Sequence, residues 1–231
     1  METRETGASR SSQVQAGCFS AYLLPPLIVV AIGLSLGAAT GRSGFVIPRT
    51  PGDAGSRGSP SAIEAGSRAV ATLFRPEVRH WSLEIEKWAA SAGLDPNLAA
   101  VVMQIESCGD PQATSRSGAA GLFQVMPFHF LAHEDAYDPD TNATRGLAYL
   151  ARSLAVSNGD ARRALAGYNG GIGLVGKPED MWPEQTMRYV RYAVPIYEDA
   201  LRGESASAAL DEWYGRFGAG LCRQAAANLG T

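Results

Sequence analysis

A single glutamate stands where an apolar helix is predicted to end. In the stretch MQIESCGDPQATSRSGAAGLFQVMP, residues 103–127, Glu106 closes a hydrophobic run and a loop of small polar residues follows it. A carboxylate in the last helical turn faces the negative end of the helix dipole, and Glu106 borders an apolar stripe four residues after Val102. Both the dipole and partial burial disfavour the charged form, so a raised pKa and a role as general acid are predicted. Helix position alone also fits an ordinary surface glutamate at a frayed helix end.

The composition excludes several other kinds of chemistry. The chain has 231 residues, of which 45% are hydrophobic and 19% are charged, and its formal net charge is −3. These values suit one globular domain with additional segments and give no electrostatic footprint for nucleic acid. The sequence contains no GxxxxGKS/T, no HExxH and no paired CxxC motif. We therefore predict no cofactor, no structural zinc and no nucleic-acid partner.

An uncharged and strongly apolar run occupies the N-terminal part of the chain. The segment CFSAYLLPPLIVVAIGLSLGAA covers residues 18–39, between the charged Arg10 and Arg42. It is long enough to span a bilayer, which takes about 20 apolar residues, and longer than the core of a signal peptide, about 7–15 residues. After an N-terminal tail over residues 1–17, we predict a transmembrane anchor over residues 18–40, with a cleaved signal peptide as the alternative.

The following segment has the composition of a disordered linker. Residues 41–61, GRSGFVIPRTPGDAGSRGSPS, are rich in Gly, Ser, Pro and Arg, and such segments bury too little apolar surface to fold. We predict a linker over residues 41–75 and a folded domain over residues 76–231.

The predicted domain has helical periodicity and no sustained alternation of the kind that strands show. Asp95 as a cap and Pro96 at the first helical position predict the start of the helix that carries Glu106. Further helices are predicted over residues 141–159, over residues 159–171 with Asp160 as the cap, and over residues 183–202. We predict an all-α domain of short helices around one core.

Four motifs in this domain resemble those of the lytic transglycosylases of the soluble, lysozyme-like type, a family related to goose-type lysozymes. IES…GDPQATSRSGAAGLFQVMP resembles the family's Glu-Ser pair and its Gly-Leu-Met-Gln-x-Met-Pro turn. GYNGG, residues 167–171, resembles Ala-Tyr-Asn-Ala-Gly, and QTMRYV, residues 185–190, resembles Glu-Thr-x-x-Tyr-Val. The motifs keep the family order over residues 94–197, which makes the resemblance specific. It implies a lysozyme-like helical catalytic domain.

This sequence departs from the family pattern at four positions. Phe123 replaces the usual Met, which exchanges one apolar wall for another, and Gly167 and Gly170 replace alanines. Gln185 stands where the family has Glu, so the resemblance carries no role for a carboxylate there.

The resemblance implies cleavage of the β-1,4 bond between N-acetylmuramic acid and N-acetylglucosamine in peptidoglycan strands. Glu106 would first protonate the glycosidic oxygen. It would then act as base on the muramic C6 hydroxyl, which attacks the anomeric carbon and leaves a 1,6-anhydromuramic end. Glycosidases commonly use two carboxylates, whereas no second one stands in a matching motif here.

The resemblance also implies a set of substrate-binding residues. They are Ser107, Ser115, Gly121, Gln124, Tyr168, Asn169 and Tyr189. The serines and Gln124 offer uncharged polar groups for sugar hydroxyls and acetamides, and Ser107 is also a candidate partner of the Glu106 carboxyl. Gly121 lets a backbone approach closely. Asn169 suits an N-acetyl group or the carboxyl, and the tyrosines offer flat faces to sugars and hydroxyls to Glu106, or else pack in the core.

An enzyme of peptidoglycan works outside the cytoplasmic membrane, where disulfides persist. The implied location is therefore extracytoplasmic, with the protein held to the membrane by its N-terminal segment, or secreted if that segment is cleaved. Cys18 lies in the apolar segment, which leaves Cys108 and Cys222 as an even pair. We predict that they form a disulfide that pins the C-terminal segment beside Glu106, the alternative being two free thiols.

Three other interpretations fit parts of the sequence. His129, His133 and Glu134 suggest a metal site, but no further ligands support the spacing, and we predict none. A goose-type lysozyme activity would cleave the same bond with water. A non-catalytic wall-binding module tethered to the membrane would not need an intact Glu106. The sequence alone leaves the last two open, together with internal or chain-end cleavage and the oligomeric state.

Overall fold

The computed structural model describes residues 69–230, so the predicted anchor or signal segment lies outside the described residues, as does most of the predicted linker. Over the described range the secondary structure consists of helices and turns, with two isolated β-bridges and no strand. The prediction of an all-α domain is therefore confirmed for these residues. No helix within residues 69–230 combines the length and the apolar character needed to cross a membrane.

Eight α-helices are found in residues 69–230. They are α1 Pro76–Arg79, α2 Ser82–Ala92, α3 Pro96–Glu106, α4 Pro139–Val156, α5 Ala161–Gly170, α6 Glu184–Leu201, α7 Ala208–Trp213 and α8 Ala219–Leu229. Short 3₁₀ turns lie at Pro127–His129, Ile172–Leu174 and Glu179–Met181, and a π-helical turn at Tyr214–Gly218 joins α7 to α8.

Helix α3 is the central element of the core. Its predicted start is confirmed, because the Asp95 side chain accepts a hydrogen bond of 2.9 Å from the backbone N–H of Asn97 and Pro96 occupies the first position. The helix packs against α2 and α6. Val101 and Val102 are fully buried, and the helix ends at Glu106. The sequence thus places its glutamate at the point where a buried helix reaches the surface of the core.

Helices α4, α5 and α6 form a layer in which α5 packs against both neighbours. The predicted cap of α5 is confirmed: the Asp160 carboxylate accepts from the backbone N–H of Arg163 at 3.0 Å. Pro195 lies inside α6 without ending it. This layer presents the end of α5 and one face of α6 to the end of α3.

The C-terminal helix α8 is attached to the loop that follows α3. Cys108 and Cys222 form a disulfide with Cα atoms 5.1 Å apart, so the predicted pairing is present in the structure. Two further contacts lie beside it, because the buried Asp110 carboxylate accepts hydrogen bonds of 2.9 Å from Gln224 Nε2 and from Asn228 Nδ2. The chain beyond α7 therefore supports the backbone that continues from Glu106.

Candidate active site

Glu106 has an environment that keeps its carboxyl protonated near neutral pH. Its side chain is partly exposed, at the end of an otherwise buried helix. Burial of the carboxyl raises its pKa from 4.5 to about 8, and the smaller effect of the Tyr189 hydroxyl as a hydrogen-bond donor lowers it. The direction agrees with the prediction from sequence, and loss of solvent is its main cause.

Tyr189 on α6 supplies the hydroxyl that acts on the Glu106 carboxyl as a hydrogen-bond donor. The residue is 7% exposed. Within residues 69–230, no group meets both the distance and the angle required for a hydrogen bond to its hydroxyl. Burial raises the pKa of Tyr189 well above its usual value, and the charge of Glu106 raises it further. The phenol therefore keeps its proton, and that proton is available to the Glu106 carboxyl.

Tyr168 on α5 lies near the same carboxyl but serves a different purpose. Burial raises its pKa well above the usual value, and the charge of Glu106 adds to the effect. Its hydroxyl donates a hydrogen bond of 2.6 Å to the carbonyl oxygen of Phe123. That proton is thus committed to the backbone of the loop rather than to Glu106, contrary to one of the roles predicted for this residue.

Asn169 is held by a contact between α5 and α6. Its side-chain oxygen accepts from the hydroxyl of the buried Thr186 at 3.0 Å, which leaves the amide nitrogen free to donate elsewhere. The next residue, Gly170, has no room for a side chain, since a Cβ there would lie 2.5 Å from Thr186 Oγ1 and 2.3 Å from Leu174 Cδ1. The glycine that replaces the family's alanine therefore permits close packing of the element that orients Asn169.

Ser107 and Ser115 stabilise the loop. Ser107 is 0% exposed, donates to Leu122 O at 2.6 Å and accepts from Gly109 N at 3.0 Å. This corrects the predicted contact with substrate, because a hydroxyl enclosed by backbone groups has no face left for a sugar. Ser115 Oγ accepts from Ala119 N at 2.9 Å and closes the turn between them.

Gly121 and Gln124 form the turn that faces the end of α3. Gly121 has φ 73°, and a Cβ there would lie 2.4 Å from Asn142 Nδ2, so its close approach is to Asn142 and not to a ligand. Gln124 adopts φ 46°, and its Nε2 donates to Ala113 O and Gly121 O, both at 3.1 Å. Its side-chain oxygen is the group that remains for a ligand.

A cleft of about 210 Å³ lies beside these residues, and we refer to it as the cleft. It is lined by Gln124, Val125, Met126, Phe128, His129, Gly146, Tyr149, Tyr168, Asn169 and Gly171. Three predicted site residues, Gln124, Tyr168 and Asn169, share it, and Tyr168 connects it to the environment of Glu106. Phe123, expected to form an apolar wall, is instead fully buried.

Sequence reasoning missed the aromatic side of the cleft, formed by Phe128, His129 and Tyr149. Phe128 and His129 belong to the stretch MPFHF, residues 126–130, where two aromatic rings directly follow a proline turn. That density of rings beside a polar turn was the available signal. Tyr149 had no such signal, because it lies inside a helix of ordinary amphipathic pattern.

Two of the three residues that suggest a metal site in the sequence, Glu134 and His129, have other contacts. Glu134 forms an ion pair with Arg145, with Oε2 accepting from Nε at 2.9 Å, and His129 packs against Tyr149 with ring centroids 4.9 Å apart. Within residues 69–230 the spacing of ligand atoms would suit a metal only at Glu77, Cys108 and Cys222. Both of these sulfurs belong to the disulfide, so no thiolate is present there.

Comparison with known proteins gives a consistent set of similarities. Residues 84–187 match the family model described as Transglycosylase SLT domain. A transglycosylase of Enterobacteria phage PRD1 is 43% identical over 93 residues, which cover 39% of this chain and 35% of that protein. An endo-type membrane-bound lytic murein transglycosylase A of Klebsiella pneumoniae is 34% identical over 97 residues, which cover 33% of this chain and 47% of that protein.

Among solved structures, an inactive mutant of the lytic transglycosylase Slt from Pseudomonas aeruginosa aligns at 26% identity with a TM-score of 0.43, covering 52% of this chain and 24% of that chain. This chain thus matches less than half of the length of each of these three proteins.

Proposed function

We propose that the chain is a peptidoglycan lytic transglycosylase, because residues 84–187 match the family model described as Transglycosylase SLT domain. Its lysozyme-like domain, over residues 76–231, would cleave the β-1,4 bond between N-acetylmuramic acid and N-acetylglucosamine and form 1,6-anhydromuramic ends. Glu106 would act as the single acid and base.

The observation that carries the proposal is the state of Glu106. A carboxyl with a pKa of about 8 keeps its proton near neutral pH, as protonation of a glycosidic oxygen requires. The same carboxyl lies beside the Tyr189 hydroxyl, which has a proton to donate. After Glu106 has given up its proton, that hydroxyl would stabilise the resulting carboxylate through a charge-assisted hydrogen bond.

The reaction then follows from one group used twice. Proton transfer from Glu106 to the glycosidic oxygen breaks the bond to the anomeric carbon, and the N-acetylglucosamine unit leaves with the proton. The Glu106 carboxylate next accepts the proton of the muramic C6 hydroxyl, whose oxygen forms a bond to the anomeric carbon. The enzyme regains its protonated form, and no water enters the products.

The acidic residue nearest in the chain is already committed. Asp110 is fully buried, and its two oxygens accept from Gln112 N, Gln224 and Asn228. It therefore does not serve as a second carboxylate that activates water, as an inverting glycosidase would require. An intramolecular nucleophile such as the C6 hydroxyl needs no second carboxylate, which favours the lyase over a hydrolase.

The cleft supplies groups suited to the substrate's polar substituents. The hydrogen bond of Asn169 uses its side-chain oxygen, and those of Gln124 use its side-chain nitrogen. The amide nitrogen of Asn169 and the side-chain oxygen of Gln124 can therefore bind the substrate. We assign them to N-acetyl groups and hydroxyls of the glycan, and we assign to Ser107, Ser115 and Gly121 a role in the fold of the loop.

We place the protein outside the cytoplasmic membrane. The Klebsiella pneumoniae relative is described as membrane-bound, residues 18–39 have the length and composition of a spanning segment, and the disulfide fits an oxidising compartment.

Mass spectrometry of muropeptides released from purified peptidoglycan tests the proposal. We expect 1,6-anhydromuramic products, lighter by one water than reducing ends, with the wild type and none with Glu106→Gln. Glu204→Gln alters an exposed glutamate and is the matched control. Reducing ends would identify a hydrolase, and absence of any product from an intact protein would leave a wall-binding module.

A further inference from the structure

A continuous row of aromatic rings lines the cleft, and one end of the row is Tyr168, which lies near Glu106. The centroids of Tyr168 and Tyr149 are 5.8 Å apart, those of Tyr149 and His129 are 4.9 Å apart, and those of His129 and Phe128 are 4.5 Å apart. All four residues line the cleft. We call them the aromatic row.

The inner part of the aromatic row is held rigidly. The Tyr168 hydroxyl donates to Phe123 O at 2.6 Å, and the Tyr149 hydroxyl accepts from the backbone N–H of Ile172 at 3.3 Å. These bonds fix two rings that belong to two different helices, α4 and α5. A ring fixed before a ligand arrives loses little conformational entropy on binding.

The outer part of the row is exposed at the mouth of the cleft. Phe128 is 76% exposed, although it is a large apolar side chain. A single exposed apolar residue is ordinary on a protein surface, but Phe128 is not single, because it continues a row of rings that lines a concave surface. The 3₁₀ turn Pro127–His129 starts with proline, which restricts the backbone that presents this ring.

The chemistry of the row matches a pyranose ring. A pyranose presents C–H groups on its faces and hydroxyls at its edges, and aromatic faces are apolar with a negative quadrupole that attracts the C–H groups. His129 adds polarity at the middle of the row. Desolvation lowers its pKa, so its imidazole is neutral near pH 7 and offers both a donor and an acceptor to hydroxyls. A peptide carboxylate would find no positive side chain among the residues that line the cleft.

We propose that Phe128 and His129 form a sugar-binding position at the outer end of the cleft, where they hold a ring of the glycan strand that is remote from the bond cleaved at Glu106. This inference rests on the proposed function, and it names residues outside the four motifs that imply the reaction. Strands long enough to reach Phe128 are held by one more ring than short strands, so the enzyme favours long strands over short fragments.

Binding to the full-length Glu106→Gln protein measures this without turnover. The probes are chitin oligosaccharides of two and of six N-acetylglucosamine units, titrated by calorimetry. We expect Phe128→Ala to weaken binding of the long probe about threefold to tenfold, as expected for loss of one aromatic stacking contact. The short probe should bind equally to both proteins, and Phe128→Tyr should restore the affinity for the long one.

Leu83→Ala provides the matched control, because Leu83 is 67% exposed on α2 and does not line the cleft. If Phe128→Ala binds the long probe as tightly as Leu83→Ala does, the outer position is refuted. Equal weakening of both probes would also refute it, since that would place Phe128 at the inner part of the site.

Kinetics separate this inference from the proposed function. With glycan strands as substrate, Phe128→Ala should raise KM and lower kcat/KM for long strands while the products remain anhydromuramic. If the wild type forms no anhydromuramic products, the proposed reaction is refuted. The calorimetry still tests the sugar-binding position in that case, because it measures binding without turnover.

Discussion

Replacing Glu106 by glutamine is expected to abolish turnover and yet stabilise the fold at alkaline pH. In the unfolded chain this carboxyl ionises near 4.5, whereas in the folded protein its pKa is about 8. Between these values the native state binds a proton that the unfolded state does not bind. The stability of the wild type must therefore fall as pH rises from about 4.5 to about 8. Glutamine has no charged form, and the variant escapes this loss.

The magnitude follows from the shift. At about 1.36 kcal/mol per unit, a change from 4.5 to about 8 sets a ceiling of about 5 kcal/mol. The Glu106 side chain is partly exposed, so water relaxes around the charge, and we expect about 2–3 kcal/mol to be observed. For a domain of this size that corresponds to a rise of about 5–10 °C in melting temperature.

Urea denaturation followed by circular dichroism at pH 4, pH 7 and pH 9 provides the measurement. Wild type and Glu106→Gln should have the same stability at pH 4 and should differ increasingly toward pH 9. The matched control Glu204→Gln should show no such divergence, because that glutamate is exposed. A constant difference across all three pH values would mean that Glu106 ionises normally, and its role as a neutral-pH acid would fail with it.

Four other outcomes are expected. The kcat/KM of the wild type should fall tenfold per pH unit above about pH 8 as Glu106 loses its proton, and an additional acid limb near pH 4–5 would reveal a second catalytic carboxylate. Tyr189→Phe should lower kcat about 10- to 100-fold, which is the effect expected for loss of a hydrogen bond to a charged group. The variant should also move the alkaline limb of the pH profile to higher pH, because the hydroxyl lowers the pKa of Glu106. An unmoved limb would show that Tyr189 does not interact with the Glu106 carboxyl. The double variant Cys108→Ala with Cys222→Ala opens a loop with a sequence separation of 114 residues. Denaturation should show that its free energy of unfolding is lower by up to about 4–5 kcal/mol. A decrease of less than about 1 kcal/mol would contradict a supporting role for the disulfide. Gly170→Ala should lower the free energy of unfolding by about 1–3 kcal/mol, because the added methyl group crowds Thr186. It should also raise KM, because Thr186 holds the side chain of Asn169. Normal stability and a normal KM would show that the packing adjusts to the methyl group.

Apart from the Cys108–Cys222 disulfide, which was predicted from the two cysteines that lie outside the apolar segment, the features predicted correctly from sequence depend on neighbours in the chain. The cap at Asp95 and the cap at Asp160 follow from a side chain and the backbone two or three residues later. The position of Glu106 at the end of α3 follows from the same local pattern. Each of these interactions is complete within one helical turn, so no knowledge of the fold is needed to expect it.

The predictions that changed depend on contacts between distant segments. Ser107 differs from the prediction because its hydroxyl donates to Leu122 O. Gly121 differs because the side chain of Asn142 fills the space beside it. A polar or small residue near a catalytic glutamate can face either the ligand or a buried backbone group. Only the partners that the fold brings together decide between them, and those partners lie 15 and 21 positions away in the sequence.

The support of the site also extends beyond the family match, which ends at residue 187. Tyr189 lies two residues past that end, and Cys222 and Gln224 lie on α8, far beyond it in the chain. Cys222 and Gln224 act on the site through the loop after Glu106, because the disulfide binds Cys108 and Gln224 donates a hydrogen bond to Asp110. Because Glu106 is the last residue of its helix, its orientation depends on the backbone that follows as well as on the helix before it. The C-terminal helix is therefore expected to be part of what positions the acid, and a protein shortened to the matched residues would lose both this support and the hydroxyl that faces Glu106.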